Sequence, residues 1–329
     1  MKRFILFILA VLLVAVTLTG CDGFNKPAEN TLSTDGEKNI SVVATIFPPY
    51  DFTREITGDK ADVTMLLPPA SESHSFEPTP QDIIKIQNCD LFLYVGGESD
   101  EWVNEVLESM DTSKMKIVAL MDCVEVVEEE IVEGMEEEEE EEEEPADSNE
   151  PEGPEYDEHV WTSPQNSKLI VQKISAALCE ADPANASAYQ QNTAAYLSEL
   201  DELDAAFQDV MNNAKRKTIV FGDRFPFRYF ADAYGLDYFA AFPGCSAETE
   251  CSAATVAFLI DKVKNENIPV VFHVELSNGK IANTISEATG AKVLLLHACH
   301  NISKTDYESG KSYLDLMAGN VDALKEALQ

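Results

Sequence analysis

The chain has 329 residues, 45% of them apolar, and 60 Asp and Glu against 23 Lys and Arg give a formal charge of -37. A surface of that sign repels phosphate backbones, and no basic patch with interleaved aromatics relieves it, so nucleic-acid binding is excluded and cations are the natural partners. Seven cysteines without C-x-x-C pairs or regular spacing argue against a disulfide-stapled miniature fold and against a thiolate zinc cluster.

The first residues read as an export signal. Lys2 and Arg3 precede an apolar run over residues 4–16, too short to span a bilayer comfortably, and then Leu18-Thr19-Gly20-Cys21. Small residues followed by Cys form the pattern at which bacterial lipoproteins are cleaved and acylated, which makes Cys21 the expected lipidated first residue of the mature chain. Residues 21–39, polar and Gly/Thr/Asn-rich, read as a flexible tether to that lipid.

About 290 residues remain, enough for two compact lobes. Short β-branched runs at 41–47, 63–67, 91–95 and 116–120 predict strands, with helices at 50–56, 79–88 and 98–110 between them. Strand and helix in strict turn imply a parallel sheet, hence an α/β fold, with the first lobe over residues 40–183. Pro164 opens a helix that Asp182-Pro183 closes. A second helix over 187–213 carries Tyr196, Leu200, Leu203, Phe207 and Val210 on one stripe; at 1.5 Å per residue it is about 40 Å long, a strut able to join two lobes. Packing on one lobe alone is the other reading of that stripe. The alternation resumes with strands at 218–221, 238–242, 269–274 and 292–296, and helices at 227–234, 249–265, 280–289 and 313–328, a second lobe over 215–329.

Residues 122–158 interrupt the first lobe with 21 acidic residues and no Lys or Arg; without them the formal charge is -16. Contiguous glutamates repel one another and bury nothing, so a solvated, mobile loop is expected, one able to steer divalent cations inward if a site lies nearby.

In an open parallel sheet, ligands are met at the carboxyl ends of strands. Four of the five histidines fall there: His74 after strand 63–67, His159 after strand 116–120, and His297 and His300 in "LLLHACHN". His273 lies inside a strand and reads as a core or edge residue. Asp223 in "VFGDRF" and Glu275 in "FHVELS" are acidic candidates at comparable ends. Imidazole with carboxylate suits Zn²⁺, whereas Mg²⁺ and Ca²⁺ draw mainly oxygen.

From Val42 to the C-terminus the chain resembles the solute-binding lipoproteins of zinc and manganese ABC transporters. The resemblance rests on "SHSFEPTPQDI" around His74, "EHVWTSPQNS" around His159, "FRYFADAYGL", "TGAKVLLL" and "GKSYLDLMAGNVDALKEAL". It implies two α/β lobes joined by one long helix and a metal between them, no catalysis, Zn²⁺ as cargo with Mn²⁺ the alternative, an ABC permease as partner, and a monomer at the outer face of the membrane. Zinc-selective members carry a charged loop before the second ligand, and the glutamate run is similar to an acidic version of it. One departure stands out: the third ligand of the family falls on Arg224, and a guanidinium cannot ligate a cation. Compensation is then expected from His297 or His300 of the "HACH" loop, with Glu275 or Asp223 completing the shell; Cys299 in that loop reads as a disulfide partner of Cys245 that would fix it, thiolate ligation being the lesser alternative. A cell-surface zinc hydrolase with Glu275 or Glu77 as base lacks any H-E-x-x-H pair, and an adhesin or structural lipoprotein predicts no stoichiometric metal.

Overall fold

The computed structural model describes residues 39–73, 76–135, 155–246 and 250–329. The proposed signal, Cys21, His74 and the glutamate run at 136–144 lie outside the described residues. The first sheet is built from β1 (Ile40–Ala44), β2 (Ala61–Met65), β3 (Leu91–Tyr94) and β4 (Lys116–Ala119), parallel in the order β2-β1-β3-β4. Val42 stands opposite both Val63 and Leu91, which places β1 inside the sheet with Val42, Val43 and Ala44 buried on both faces. That burial is why the strand reads as a continuous apolar run rather than an alternating one.

Helices α1 (Phe47–Thr57), α2 (Pro80–Gln87) and α3 (Glu101–Glu108) make the crossovers. The strand expected to reach Phe47 stops at Ala44, because Pro48 and Pro49 occupy the first helical positions of α1, where a missing N–H costs nothing. In α2 a Thr79–Asp82 capping box fixes the start: the Asp82 N–H donates to the Thr79 hydroxyl oxygen and the Thr79 N–H donates back to the Asp82 carboxylate.

After α4 (Pro164–Ala181) comes α5 (Ala186–Asn212), 27 residues or about 40 Å of helix. Its buried stripe packs against both halves of the molecule. Tyr196 meets Phe52 of α1 at 6.1 Å between ring centroids, and the Asn192 amide donates to the Ile56 carbonyl at 2.9 Å. Farther along, Phe207 meets Phe230 edge-on at 4.9 Å, and the Tyr234 hydroxyl donates to Asp204 at 2.6 Å. The helix is therefore a strut between two halves, not a cover for one. A continuous hydrophobic cluster runs from Val42 to Leu328 along it.

The second half contains β5 (Thr218–Val220), α6 (Arg228–Tyr234), β6 (Asp237–Phe239), α7 (Ala253–Glu266), β7 (Val270–His273), α8 (Lys280–Thr289), β8 (Lys292–Leu295), α9 (Lys304–Glu308) and α10 (Tyr313–Leu328). β5 pairs with β6 and β7 with β8, all parallel, and a bridge between Phe221 and Phe272 joins the two pairs. The resulting order, β6-β5-β7-β8, repeats that of the first sheet. α9 was not foreseen; its five residues are too few to show a helical period.

The margins of the acidic insertion depart from the solvated loop expected over 122–158. Glu128 and Tyr156 form an antiparallel bridge, and the Asp157 N–H donates to the Val127 carbonyl at 3.0 Å. The Tyr229 hydroxyl on α6 clamps this foot, accepting from the Val127 N–H and donating to the Asp157 carbonyl at 2.6 Å. Glu129 accepts from the Cys245 N–H at 3.0 Å and Glu130 from the Tyr238 hydroxyl at 3.0 Å. Gly134 lies so close to Phe258 that a Cβ there would meet the ring at 2.1 Å. Backbone pairing and aromatic contacts outweigh the charge of these flanking residues, so the foot of the loop is docked on the second half.

Candidate metal centre

His159 opens the short turn that leads into α4 and is wholly buried. Asp157 holds it twice: Oδ1 accepts the His159 backbone N–H at 2.8 Å and lies 3.0 Å from ring Nδ1. A carboxylate on Nδ1 sets the tautomer, leaves Nε2 as the ligand atom and raises its basicity. Burial alone would favour the neutral ring, but the Asp157 carboxylate, with Glu158 and Glu129 behind it, outweighs burial and lifts His159 above the usual imidazole range. The second half walls this side. Gly244 sits where a Cβ would come within 3.1 Å of His159 Cε1, so the close approach requires glycine.

Glu158 was missed by sequence reasoning. Its carboxylate is buried and accepts from both the Ser99 hydroxyl and the Ser99 N–H. Burial pushes its pKa up, with the nearby His159 and the Ser99 bonds pulling the other way. Gly97, at φ +77, gives it room; a Cβ there would stand 2.9 Å from Oε2.

His300 comes from the loop after β8. Its backbone N–H donates to Glu275 Oε1 at 2.9 Å, and the Ala298 N–H donates to Glu275 Oε2 at 2.6 Å, so one carboxylate shapes the loop. Trp161 closes the assembly: its indole N–H donates to the Ala298 carbonyl at 2.7 Å, and its ring lies 4.8 Å from that of His300. The His159 and His300 rings meet edge-on, 4.4 Å apart. Glu158, His159 and His300 each offer one donor atom within 4.8 Å of the others. Donors around a tetrahedral zinc with bonds of about 2.1 Å stand about 3.4 Å apart, so a contraction of up to about 1.4 Å would bring these three to that spacing, with one of the four positions left for another donor.

The remaining expected residues are placed elsewhere. His74 lies outside the described residues, but its neighbours Ser73 and Phe76 line a cavity of about 20 Å³ with Glu158, Trp161 and His300. The loop carrying it is tied to the His300 loop, since the Asn301 amide donates to the Pro68 and Ser71 carbonyls, both at 2.8 Å, and the Ala70 N–H donates to Ile302. His297 does not join the donor group. Its Nδ1 accepts the Cys299 N–H at 3.0 Å, and its backbone exchanges two hydrogen bonds with the Asn320 side chain on α10, so it builds the loop.

Asp223 accepts from the Arg224 and Val274 N–H groups and stitches β5 to β7, and Glu275 is spent on the His300 loop. His273 ends β7 half-buried, its Nδ1 3.0 Å from the Val274 carbonyl. The Cys245–Cys299 bridge is not formed: both are free thiols. Cys299 is wholly buried in the hydrophobic cluster, whereas Cys245 sits beside Glu129.

Arg224 occupies the departure from the family pattern. Its guanidinium turns to Glu72, with Nη1 and Nη2 at 3.3 and 3.1 Å from the two carboxylate oxygens.

The chain is 34% identical over 326 residues to the high-affinity zinc uptake system protein ZnuA of Bacillus subtilis, covering 98% of this chain and 97% of that one. It is 32% identical over 307 residues to the zinc-binding lipoprotein AdcA of Streptococcus pneumoniae, covering 93% of this chain but only 59% of that longer protein. The crystal structure of the Zn(II)-bound ZnuA-like domain of S. pneumoniae AdcA superposes with a TM-score of 0.72 at 29% identity, covering 88% of this chain and 99% of that domain. Residues 42–327 match the family described as zinc-uptake complex component A, periplasmic, and the chain belongs to that family.

Proposed function

We propose that this protein captures Zn²⁺ between its two halves and delivers it to an ABC permease. It is a solute-binding protein and not an enzyme. The observation that carries the reading is the convergence of Glu158, His159 and His300 within 4.8 Å, drawn from both halves and each supported by an outer partner. Two imidazoles and one carboxylate form a borderline-soft donor set that favours zinc over manganese, whose sites take more oxygen. His74 is the fourth ligand in this reading, and the charge of the glutamate run gathers cations for the site. The lobes are residues 40–183 and 215–329, with residues 184–214 as the connection. No helix among the described residues is long and apolar enough to cross a membrane; the anchor is lipid on Cys21, at the outer face of the cell membrane, and the receptor works as a monomer.

Calorimetric zinc titration of the full chain tests the site. His159→Ala or His300→Ala is expected to cost about a hundredfold or more in affinity, exceeding the loss typical of an outer partner. Undiminished affinity in the double variant would sink the site. Elemental analysis after exposure to equimolar zinc and manganese separates the two cargoes, and zinc should dominate.

A further inference from the structure

Arg224 is the position at which the sequence departs from the pattern it resembles, and its surroundings point to a different role. Arg224 rises from the loop after β5 on a fixed backbone: it bridges Phe242, and its N–H donates to the Asp223 carboxylate. Its guanidinium is only 13% exposed and reaches across to Glu72, which belongs to the first half and lies two residues before His74. The two nitrogens face the two oxygens at 3.3 and 3.1 Å, a forked pairing. The pair lines a cavity of about 30 Å³ together with Ser73, Gly244, Glu275 and His300. That is room for about one or two waters, less than a hydrated divalent cation occupies.

We infer that the Arg224–Glu72 ion pair is a gate over His300, one that must part for the metal to enter or leave. This rests on the zinc-capture reading and deepens it. The pair joins the two halves in the lining of that cavity, with Glu72 45% exposed. An ion pair at the surface is weak and screened by salt, which suits a contact that opens often. The open state is also defined. Arg224 Nη1 donates to the Ser246 carbonyl at 3.1 Å, an anchor on its own half that keeps the guanidinium there once Glu72 leaves. In place of a metal donor, Arg224 supplies a cross-cleft bond that holds the door. Affinity is then carried by the remaining ligands, and the exchange rate is set separately.

The test measures both access and release in the full chain for Arg224→Gln, Glu72→Gln and the double variant. Access is the rate at which diethyl pyrocarbonate modifies His300 in the metal-free protein, read by mass spectrometry of the His300 peptide. Release is the loss of Zn²⁺ from the loaded protein into excess chromophoric chelator by stopped flow.

Each single variant should raise both rates about threefold to fivefold, with the double variant no faster than either single, as expected for one shared exposed contact. Added sodium chloride should speed release from the native chain and leave the variants little changed. Unchanged rates, or single effects that multiply in the double variant, would overturn the gate. A native chain that takes up no zinc would sink the capture reading instead, and the His300 modification rates would still decide the gate.

Discussion

The two walls of the metal centre are built differently. On one, His159 is wholly buried and its imidazole is held through the ring by Asp157. On the other, His300 is half-buried; Glu275 grips its loop through the backbone, and Trp161 and the neighbouring imidazole lie against its ring. A ligand oriented through its ring is preorganised before any ion arrives. A ligand oriented through its loop moves when that loop moves. The first wall reads as the capturing side and the second as the closing side, the one that also carries the gate residue Arg224.

The largest effect that would break this contrast comes from the outer carboxylates. Asp157→Asn should weaken zinc binding by about 10- to 100-fold, because it removes the group that sets the His159 tautomer. Glu275→Gln keeps an acceptor for only part of the loop's backbone N–H pair and should cost less affinity while raising the release rate. Calorimetry and stopped-flow release on the two variants check this, and equal losses in affinity would erase the distinction between walls.

A smaller effect sharpens it through pH. Ligation needs the neutral ring, and Asp157 lifts His159 above the ordinary imidazole range. Zinc affinity should therefore fall as pH drops through a midpoint above that of an ordinary imidazole, by up to about tenfold per unit for one competing proton. In Asp157→Asn the raising charge is gone, so the fall should begin at lower pH although affinity at alkaline pH is weaker. Affinity measured from pH 8.5 to 5.5 in both proteins decides it; an unshifted midpoint would remove Asp157 as the cause.

The smallest effect concerns the packing of the first wall. Gly97→Ala adds a Cβ at φ +77 and 2.9 Å from the Glu158 carboxylate, and should cost about 1–2 kcal/mol of stability by thermal unfolding. Gly290→Ala, in the left-handed region with open space around it, gives the cost of that region alone; Gly97, at ψ -167, lies where essentially only glycine is found, so backbone strain adds to the carboxylate contact there. A loss at Gly97 no greater than at Gly290 would show that the carboxylate has slack.

Much of the fold was legible because its signals are local. α8 and α10 fall at the expected bounds: Gly279 and Gly290 flank the first, and the Ser312–Asp315 capping box opens the second. Strand ends were less legible, since an apolar run does not mark where pairing stops; Phe47 belongs to a helix although it continues the run of β1. In the site, His159 and His300 stood out as rare residue types at strand ends. Glu158 did not, because nothing distinguishes one carboxylate among the 21 acids of its segment except burial against Ser99 and Gly97.

The sequence by itself determined the alternating α/β order, the long amphipathic strut, the cationic partner and the histidines worth watching, since periodicity, caps and charge act over a few residues of chain. Only the tertiary structure decided which acid joins His159 and His300, that Asp223, His297 and Glu275 hold backbone, that the foot of the acidic loop docks on α6, and that Arg224 turns to Glu72. Those outcomes depend on distances of a few ångströms between residues up to 152 positions apart, and desolvation and hydrogen-bond geometry at that range leave no mark on local pattern.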